Sequence, residues 1–319
     1  MILVISTRGY ELGTDPVVGE LVRNNASFIK MTYEDLYDGH NLYLDVLGRV
    51  AIYDGIDLCK NITCVYLRRF EGYWKFQRSQ GSVFEQAQFE INMELNTLIE
   101  HLYFVLSDKV WLPPPFAITL NKLDALLYAK KAGLKTPETF IINNKKDLIR
   151  IIENDEEFIV KPIHFSGYYV VGDTVFYNLT RRVCLEDVDV LRDRFVPTLL
   201  QKKIDKNFEI RVYYLDGQLF PSAVLVEESQ QKHDDIKSLF KTDNIHWLPY
   251  TFPKHIQDQI CNFMNACKLN TGSLDIAKGN DGEFYFIEVN PAGQFMAPSK
   301  RCGYNLEKII GNWLIDHDK

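Results

Sequence analysis

The sequence predicts an α+β chain, and three observations lead to this class. The first part alternates strand and helix patterns, starting with the apolar run at residues 2–6. From residue 199 onward, the pattern is mainly antiparallel strands with short turns and few helices. A proline run at residues 113–115 separates the two regions. Strands and helices that segregate in this way are typical of α+β proteins.

The N-terminal region has the pattern of a small α/β domain. Pro16 marks the start of a helix, with Thr14 or Asp15 as the N-cap. A second apolar run at residues 28–31 completes a strand-helix-strand unit. The region lacks the Gly-x-Gly-x-x-Gly pattern, so a dinucleotide site is not expected there.

A domain boundary is predicted at the proline run. Apolar side chains over residues 85–106 approximate one helical face, which the prolines cannot continue. A chain of 319 residues has room for two or three domains. We therefore predict an N-terminal α/β domain at residues 1–114, a central lobe at 115–198 and a C-terminal lobe at 199–319.

The central lobe places two lysines where they could meet phosphate. A helix is predicted over residues 121–132, and Lys122 lies near its start. A polar helix over residues 145–153 precedes a strand that ends at Lys161. Each lysine is either an ordinary surface side chain or a phosphate ligand, and the local pattern leaves both interpretations open.

The C-terminal lobe begins with three predicted strands, over residues 199–204, 208–214 and 218–226. Glu209 and Arg211 share one face of the second strand, because side chains alternate along a strand. Such a pair is either an exposed surface pair or a site where arginine receives a carboxylate or acyl phosphate. Arg68 and Arg69, which follow an apolar run, allow the same two interpretations. A polar segment over residues 227–244 and a helix over 253–269 follow.

A predicted hairpin follows that helix. The turn sequence at residues 279–282 separates apolar runs over residues 273–277 and 283–289. Alternation with a period of two predicts that four side chains of the second strand share one face. These are Phe284, Phe286, Glu288 and Asn290.

This hairpin carries a candidate metal site. Asp275, Glu288 and Asn290 form an all-oxygen ligand set, which suits Mg²⁺ and the nucleotide phosphate that usually accompanies it. The alternative is a solvated polar end of an edge strand. Two carboxylates that meet at the end of apolar strands repel each other and lose hydration, unless a cation holds them. This argument favours a metal site.

Composition excludes several other classes. The formal charge of −7 argues against a general nucleic-acid binder. No apolar stretch approaches the roughly 18 residues of a membrane span, and the start lacks the basic flank of a signal peptide. A cytoplasmic protein is therefore expected. The six cysteines include no Cys-x-x-Cys pair, so neither a zinc site nor a disulfide framework is indicated.

The order of these motifs resembles the ATP-grasp fold, preceded by the small α/β domain of that superfamily. The resemblance runs from about residue 113 to the C-terminus. It is carried by Asn121-Lys122, Val160-Lys161-Pro162, Gln201-Lys202-Lys203-Ile204, Glu209-Ile210-Arg211-Val212, Asp275 and Glu288-Val289-Asn290-Pro291.

Two further motifs look like the graspetide (ω-ester-containing peptide) synthetases. They are Arg68-Arg69 and the run from Asn290-Pro291-Ala292-Gly293-Gln294-Phe295 to Cys302-Gly303-Tyr304-Asn305-Leu306-Glu307-Lys308, and the tail most resembles the grasp-with-spasm branch. Those enzymes cyclise ribosomal precursor peptides by joining Asp or Glu side chains to Thr or Ser hydroxyls or to Lys amines. The resemblance implies an ADP-forming ligase, a precursor peptide with leader and core, a SPASM-type partner protein and a homodimer.

The resemblance also implies residue roles. Lys122 and Lys161 would contact the phosphates of ATP. Gln201 and the backbone of Lys202 and Lys203 would form the adenine hinge. Glu209 would contact the ribose. Two Mg²⁺ ions would be held by Asp275, Glu288 and Asn290. Catalysis would involve Arg211, which orients the activated carboxylate, and Lys161. Substrate binding would involve Arg68, Arg69 and Arg211.

Some positions depart from the family pattern. Gln201 stands where many ATP-grasp enzymes have Glu, and residues 235–237 and His246 stand where arginine-bearing motifs are expected. The Ser166-Gly167 loop after the strand that ends at Lys161 could fold over phosphates. His164, beside this loop, is either a general base or an ordinary loop residue. Two other functions stay open: a RimK-type ligase that adds amino acids to a protein or peptide, and a non-catalytic nucleotide-binding peptide adaptor.

Overall fold

The structure is a computed structural model. It describes residues 1–36, 40–69, 82–153, 157–163, 168–171, 174–177, 180–183, 185–226 and 245–319. The chain forms two compact units. The first comprises residues 1–118, 294–300 and 304–319, and the second comprises residues 119–293 and 301–303. The three-part division predicted above stays a prediction.

The first unit is built around a parallel sheet. Its elements are β1 (Ile2–Ser6), α1 (Asp15–Arg23), β2 (Phe28–Thr32), β3 (Leu42–Asp45), β4 (Val50–Tyr53), β5 (Ile56–Asp57), α2 (Leu58–Asn61), β6 (Cys64–Leu67), α3 (Ser82–Val105) and β7 (Val110–Leu112). The strand order is β2-β1-β6-β7, and every pairing is parallel. All of β1 is buried, which is the pattern of a parallel strand covered on both faces.

Antiparallel β3, β4 and β5 form a separate small sheet in this unit. The C-terminal part of the chain, which contributes to the same unit, begins with residues 294–300 and ends with a helix over Leu306–Asp316. That helix packs on α1 at Gly311, where an added Cβ atom would lie 2.7 Å from Cβ of Glu20. Glycine is therefore required for this close helix contact.

The second unit contains antiparallel sheets. Its elements are α4 (Lys122–Lys131), β8 (Thr139–Asn144), α5 (Lys145–Ile152), β9 (Phe158–Lys161), β10 (Tyr168–Val171), β11 (Thr174–Tyr177), β12 (Arg181–Arg182), α6 (Leu185–Val190), β13 (Arg194–Lys202), β14 (Lys206–Leu215), β15 (Gln218–Val226), β16 (Ile245–Pro249), α7 (Lys254–Ala266), β17 (Thr271–Gly279) and β18 (Phe284–Asn290). The remaining short helix, α8, spans Met296–Arg301, and α9 is the C-terminal helix Leu306–Asp316.

The smaller of its two main sheets has the order β12-β9-β13-β8. One face is apolar, with Phe158, Leu200 and Ile142 in a core shared with α5 and α6. Strand β13 begins at Arg194, five residues before the predicted start at residue 199. The prediction was late because Pro197 interrupts the strand pattern in the sequence. The pairing with β8 shifts between Arg194 and Thr198, and such an irregularity accommodates a proline within a strand.

The larger sheet has the order β16-β15-β14-β17-β18. Its apolar face packs against α7, where the rings of Phe286 and Phe263 lie 4.8 Å apart between centroids and are both fully buried. The opposite face carries Glu209, Arg211 and the other polar side chains described below. Among the described residues, no helix combines the length and the apolar character of a membrane span.

Candidate functional site

A line of polar side chains crosses the larger sheet of the second unit. Arg211 on β14 lies opposite Asp275 on β17, and Asp275 lies opposite Glu288 on β18. Directly opposite residues of antiparallel strands have side chains on the same face, with Cβ atoms roughly 4.5–5.5 Å apart. Strand pairing alone therefore brings one guanidinium and two carboxylates into a row.

A β-bulge decides which side of β18 faces this row. Asp275 pairs with Glu288 but Ile276 pairs with Phe286, so Ile287 is an extra residue in β18. The extra residue moves the alternation by one position. Phe284 and Phe286 consequently lie on the apolar face, while Glu288 shares the polar face with Asp275. The prediction that the two phenylalanines and Glu288 share one face was wrong, because strict alternation does not allow for a bulge.

Two cations balance the paired carboxylates. Arg211 Nε lies 3.4 Å from Asp275 Oδ1, and Lys122 Nζ lies 3.2 Å from Glu288 Oε2. Lys122 reaches Glu288 from the first turn of α4, whose N-cap Asn121 accepts a hydrogen bond from the backbone N–H of Leu123. Attraction to these cations offsets the repulsion between two carboxylates at neighbouring positions.

Asn290 ends β18 opposite Ser273. Its Oδ1 atom accepts a hydrogen bond of 3.1 Å from the backbone N–H of Ala292, and its carbonyl accepts one from Gly293. The side-chain oxygen thus stabilises the turn after the strand and keeps a second lone pair for another partner. Gly293 lies so close to Ser273 that an added Cβ atom would be 2.3 Å from Cβ of Ser273.

The donor set fits a hard divalent cation. The described residues include no group of three or more Asp, Glu, His or Cys side chains arranged around one point. A cation would therefore have the Asp275 and Glu288 carboxylates and the Asn290 amide oxygen, completed by phosphate or water oxygens. Mg²⁺ is commonly bound in this way, through one or two carboxylates plus substrate phosphates.

The smaller sheet holds two more of the predicted residues. Lys161 pairs with Leu199, and Gln201 pairs with Ile159, so Lys161 and Gln201 lie on the same face, opposite the apolar core. Gln201 is buried, and its Nε2 donates a 2.8 Å hydrogen bond to Oγ1 of Thr139. The Gln201 amide donates this hydrogen bond, whereas a carboxylate at the same position could only accept one.

The predicted adenine hinge lies at the end of β13, where two backbone N–H groups have partners within the protein. The backbone N–H of Lys202 donates to the carbonyl of Glu138, and that of Lys203 donates to the carbonyl of Glu157. Both amides are thus engaged within the protein. Glu209, the predicted ribose contact, receives a hydrogen bond from Lys206.

Arg68 and Arg69 belong to the first unit, directly after β6. Arg68 is buried, its Nη2 lies 3.7 Å from Glu11 Oε1, and its guanidinium lies 5.6 Å from the ring centroid of Phe295. Gly13 packs against the same guanidinium, since an added Cβ atom there would lie 2.1 Å from Nη2. Arg69 is more exposed, with Nε 3.9 Å from the same Glu11 oxygen.

Several predicted features lie outside the described residues. They are His164, the Ser166-Gly167 loop and residues 235–237. His246 is described, and it lies on β16 opposite Leu225 with its side chain exposed.

Known structures resemble this chain over its whole length. No protein-family model matches it, and no curated protein matches it. The macrocyclase MdnC bound with precursor peptide MdnA, from Microcystis aeruginosa, has a TM-score of 0.82 at 21% identity, covering 99% of each chain. A RiPP-associated ATP-grasp ligase of Chryseobacterium gregarium, in complex with ADP and a leader and core peptide, has a TM-score of 0.80 at 21% identity, covering 99% of this chain and 96% of the other.

A third structure is the ATP-grasp ligase PsnB complexed with minimal precursor, Mg and ADP. It has a TM-score of 0.79 at 18% identity, and covers 100% of this chain and 97% of PsnB. The chain has the ATP-grasp fold. The α+β class and the ATP-grasp architecture predicted from the sequence are thereby confirmed.

Three site features were missed by sequence reasoning. Glu11 lies in a turn-rich loop whose pattern contains no sign of a partner for Arg68. Ser222 is one polar residue among apolar neighbours of β15, and only strand pairing places it opposite Arg211. The extra residue Ile287 is apolar, like its neighbours, so nothing in its sequence context distinguishes it as a bulge.

A buried carboxylate network lies beside the carboxyl ends of β1 and β2 in the first unit. Burial alone would raise the pKa of Asp35, but hydrogen bonds from Arg8, Thr32 and Tyr53 outweigh it and lower the pKa to about 2. Arg8 Nη2 donates to Asp35 at 2.9 Å, as does the Tyr53 hydroxyl. Burial, together with the Asp35 carboxylate, raises the pKa of Tyr53.

We predict that Asp35→Asn lowers the free energy of unfolding by about 2 kcal/mol at neutral pH. The folded-state pKa is depressed from 3.8, so this contribution is present above about pH 4 and is lost as the pH falls toward 2. Urea denaturation at several pH values measures it, with the exposed Asp108→Asn as the control. A stability difference from wild type that stays constant between pH 7 and 2 would contradict this assignment.

We also predict that Gly293→Ala disturbs the turn at Asn290. The new methyl group would overlap Ser273, so the free energy of unfolding should fall by about 1–3 kcal/mol. Gly9→Ala is the matched control, because an added Cβ atom there meets nothing within 4 Å. Equal stability of the two variants in urea denaturation would show that Gly293 is not sterically required.

Proposed function

We propose that this protein is an ADP-forming ligase that macrocyclises a ribosomally made precursor peptide. It activates Asp or Glu side chains of the peptide as acyl phosphates and joins them to Thr or Ser hydroxyls as esters or to Lys amines as amides. The observation that carries the proposal is the row of Glu288, Asp275 and Arg211 on an ATP-grasp sheet, which Lys122 joins from helix α4. It combines a candidate Mg²⁺ site with a guanidinium able to receive a carboxylate.

The known structures support the choice of substrate. MdnC is a macrocyclase bound with a precursor peptide, and both ligases described above are bound with peptides and ADP. Their sequences are 18–21% identical to this chain. Identity at this level supports the same fold but does not establish the same substrate. The Arg68-Arg69 pair and the tail after Asn290 are the residues of this chain on which the peptide substrate is inferred.

We propose that different residues bind Mg²⁺ and the separate parts of ATP. Asp275, Glu288 and Asn290 are the proposed ligands of two Mg²⁺ ions, which when bound supply positive charge at the phosphate oxygens. Lys122 and Lys161 are the proposed phosphate contacts. Gln201 and residues 202–203 border the proposed adenine position, and Glu209 is proposed to meet the ribose.

The first chemical step requires a carboxylate to attack the γ-phosphorus of ATP, with ADP as the leaving group. Both reactants are anionic, so the lysines and Arg211 lower the repulsion between them. Arg211 presents a planar fork that binds and orients a carboxylate or acyl phosphate. Positioning and charge compensation by these side chains account for most of the proposed catalysis.

In the second step a hydroxyl or amine of the same peptide attacks the acyl carbon. The new ester or amide bond forms as the carbon-oxygen bond to phosphate breaks, and the departing phosphate takes the proton of the nucleophile. Arg211 stays beside the acyl group and stabilises the charge that develops on its oxygen. Arg68 and Arg69 are proposed to bind acidic groups of the peptide.

We infer a cytoplasmic enzyme that acts on a peptide with a leader and a core. A SPASM-type partner protein and a homodimer are inferred from the resemblance to the grasp-with-spasm branch. Size-exclusion chromatography with light scattering, with and without the peptide, measures the oligomeric state directly.

We predict that the purified protein, with ATP and Mg²⁺, lowers the mass of its peptide substrate by one water for each linkage formed. The peptide to use is a short one, rich in acidic residues, Thr, Ser and Lys, that is encoded beside the gene. ADP should form in equal number, because each linkage consumes one acyl phosphate. Mass spectrometry and an ADP assay measure the two products.

The same experiment separates the competing functions. Mass increases by whole amino-acid units would indicate a RimK-type ligase. Peptide binding without any mass change or ADP would indicate a nucleotide-binding adaptor.

We predict that Asp275→Asn and Glu288→Gln each lower ADP release by at least roughly 100-fold, because each removes a charge from the proposed metal site. Glu283→Gln is the matched control, since Glu283 lies on the same hairpin and pairs on the surface with Lys135. The ADP assay with the peptide measures all three variants. Normal turnover in both site variants would exclude the metal assignment.

A further inference from the structure

A buried hydroxyl extends the polar row beyond Arg211. Ser222 on β15 lies directly opposite Arg211, on the side away from Asp275. The residue has no exposed surface. Within the described part of the chain, its Oγ atom has no hydrogen-bond partner. A buried hydroxyl left without a partner is destabilising, so its presence calls for a reason.

The surroundings of Ser222 leave Arg211 as its natural partner. Strand pairing and alternation place Pro249, Val224 and Phe220 around it on the same face, and all three are apolar. The polar diagonal neighbours on β14 have other contacts. Tyr213 accepts a hydrogen bond from Thr271, and Glu209 receives one from Lys206.

Arg211 therefore lies between two acceptors of different kinds. On one side Asp275 attracts it through charge, and Nε is 3.4 Å from the carboxylate. On the other side Ser222 presents a neutral hydroxyl oxygen within reach of the guanidinium, given the usual spacing of opposite residues. In this structure the guanidinium is turned toward the carboxylate.

We propose that Ser222 is the positioning residue of Arg211, and that it accepts an N–H hydrogen bond from the guanidinium when Asp275 binds Mg²⁺. This inference rests on the proposed function. A divalent cation at Asp275 cancels the attraction that the carboxylate exerts on Arg211 and repels the guanidinium. The Ser222 hydroxyl then holds the guanidinium on the polar face, where it can receive the substrate carboxylate.

Loss of the Ser222 hydroxyl should also weaken the binding of Mg²⁺. Without the hydroxyl, Arg211 loses the neutral acceptor opposite it on β15 and competes more strongly with Mg²⁺ for Asp275. The Mg²⁺ requirement should therefore rise when the hydroxyl is removed. The stability of the metal-free protein should not fall, because the lost group has no partner to lose.

The test is a thermal-shift titration of Mg²⁺ in the presence of AMPPNP, using full-length wild type and Ser222→Ala. For Ser222→Ala we expect a melting temperature without metal that equals or exceeds that of wild type. We expect the Mg²⁺ concentration for half-maximal stabilisation to rise about threefold to tenfold, within the size of one hydrogen bond to a charged group. Ser222→Thr keeps the hydroxyl and should restore the wild-type value.

A double variant isolates the partner. In an Arg211→Met background, Ser222→Ala should leave the Mg²⁺ requirement unchanged, because the competing guanidinium is gone. The exposed Ser107→Ala is the control for the loss of a serine hydroxyl. Peptide kinetics add a second readout: Ser222→Ala should lower kcat about tenfold at saturating Mg²⁺, with little change in KM for ATP.

Two results would overturn the inference. One is an unchanged Mg²⁺ requirement in Ser222→Ala, and the other is an equal effect of Ser222→Ala with and without Arg211. The proposed function fails separately, if wild type responds to Mg²⁺ and AMPPNP but makes no linkage in any peptide. The Mg²⁺ titration still decides the role of Ser222 in that case.

Discussion

Two carboxylates on neighbouring strands, Asp275 and Glu288, lie directly opposite each other, and the site depends on how their charge is balanced. In the structure each has its own cation, Arg211 from the strand on one side and Lys122 from the helix α4 on the other. Both cations also have proposed roles toward the substrates. The contacts that stabilise the protein without ligands are thus made by the same side chains that would bind nucleotide, metal and peptide, so ligand binding must redistribute them.

Strand geometry places these charges. Pairing aligns Ser222, Arg211, Asp275 and Glu288 across four strands, and the bulge at Ile287 turns the end of β18 toward this row. The same bulge keeps Phe286 on the apolar face, against Phe263. Because of this extra residue, Phe284 and Phe286 in the first half of β18 face the apolar core, while Glu288 and Asn290 in its second half face the site.

Much of the fold could be predicted because its signals are local. The strand at Ile2–Ser6, the helix after Thr14 and the hairpin around Gly282 follow from apolar periodicity, proline at a helix start and turn residues. The start of β13 was missed because Pro197 breaks the strand pattern, and its tolerance depends on an irregular pairing with β8. The family resemblance added the order of site residues, which local patterns by themselves left open between surface and functional interpretations.

The sequence by itself determined the chemical inventory of the site: two carboxylates, an amide, the lysines and arginines, and their order along strands and helices. Only the tertiary structure decided which of them meet. Asp275 and Glu288 face each other, Arg68 meets Glu11 and Phe295, and Ser222 stands beside Arg211 because of strand register, a bulge and loop packing. These are long-range properties. Side-chain alternation specifies a face only while pairing stays regular, and a single inserted residue reverses it without leaving a mark in composition or periodicity.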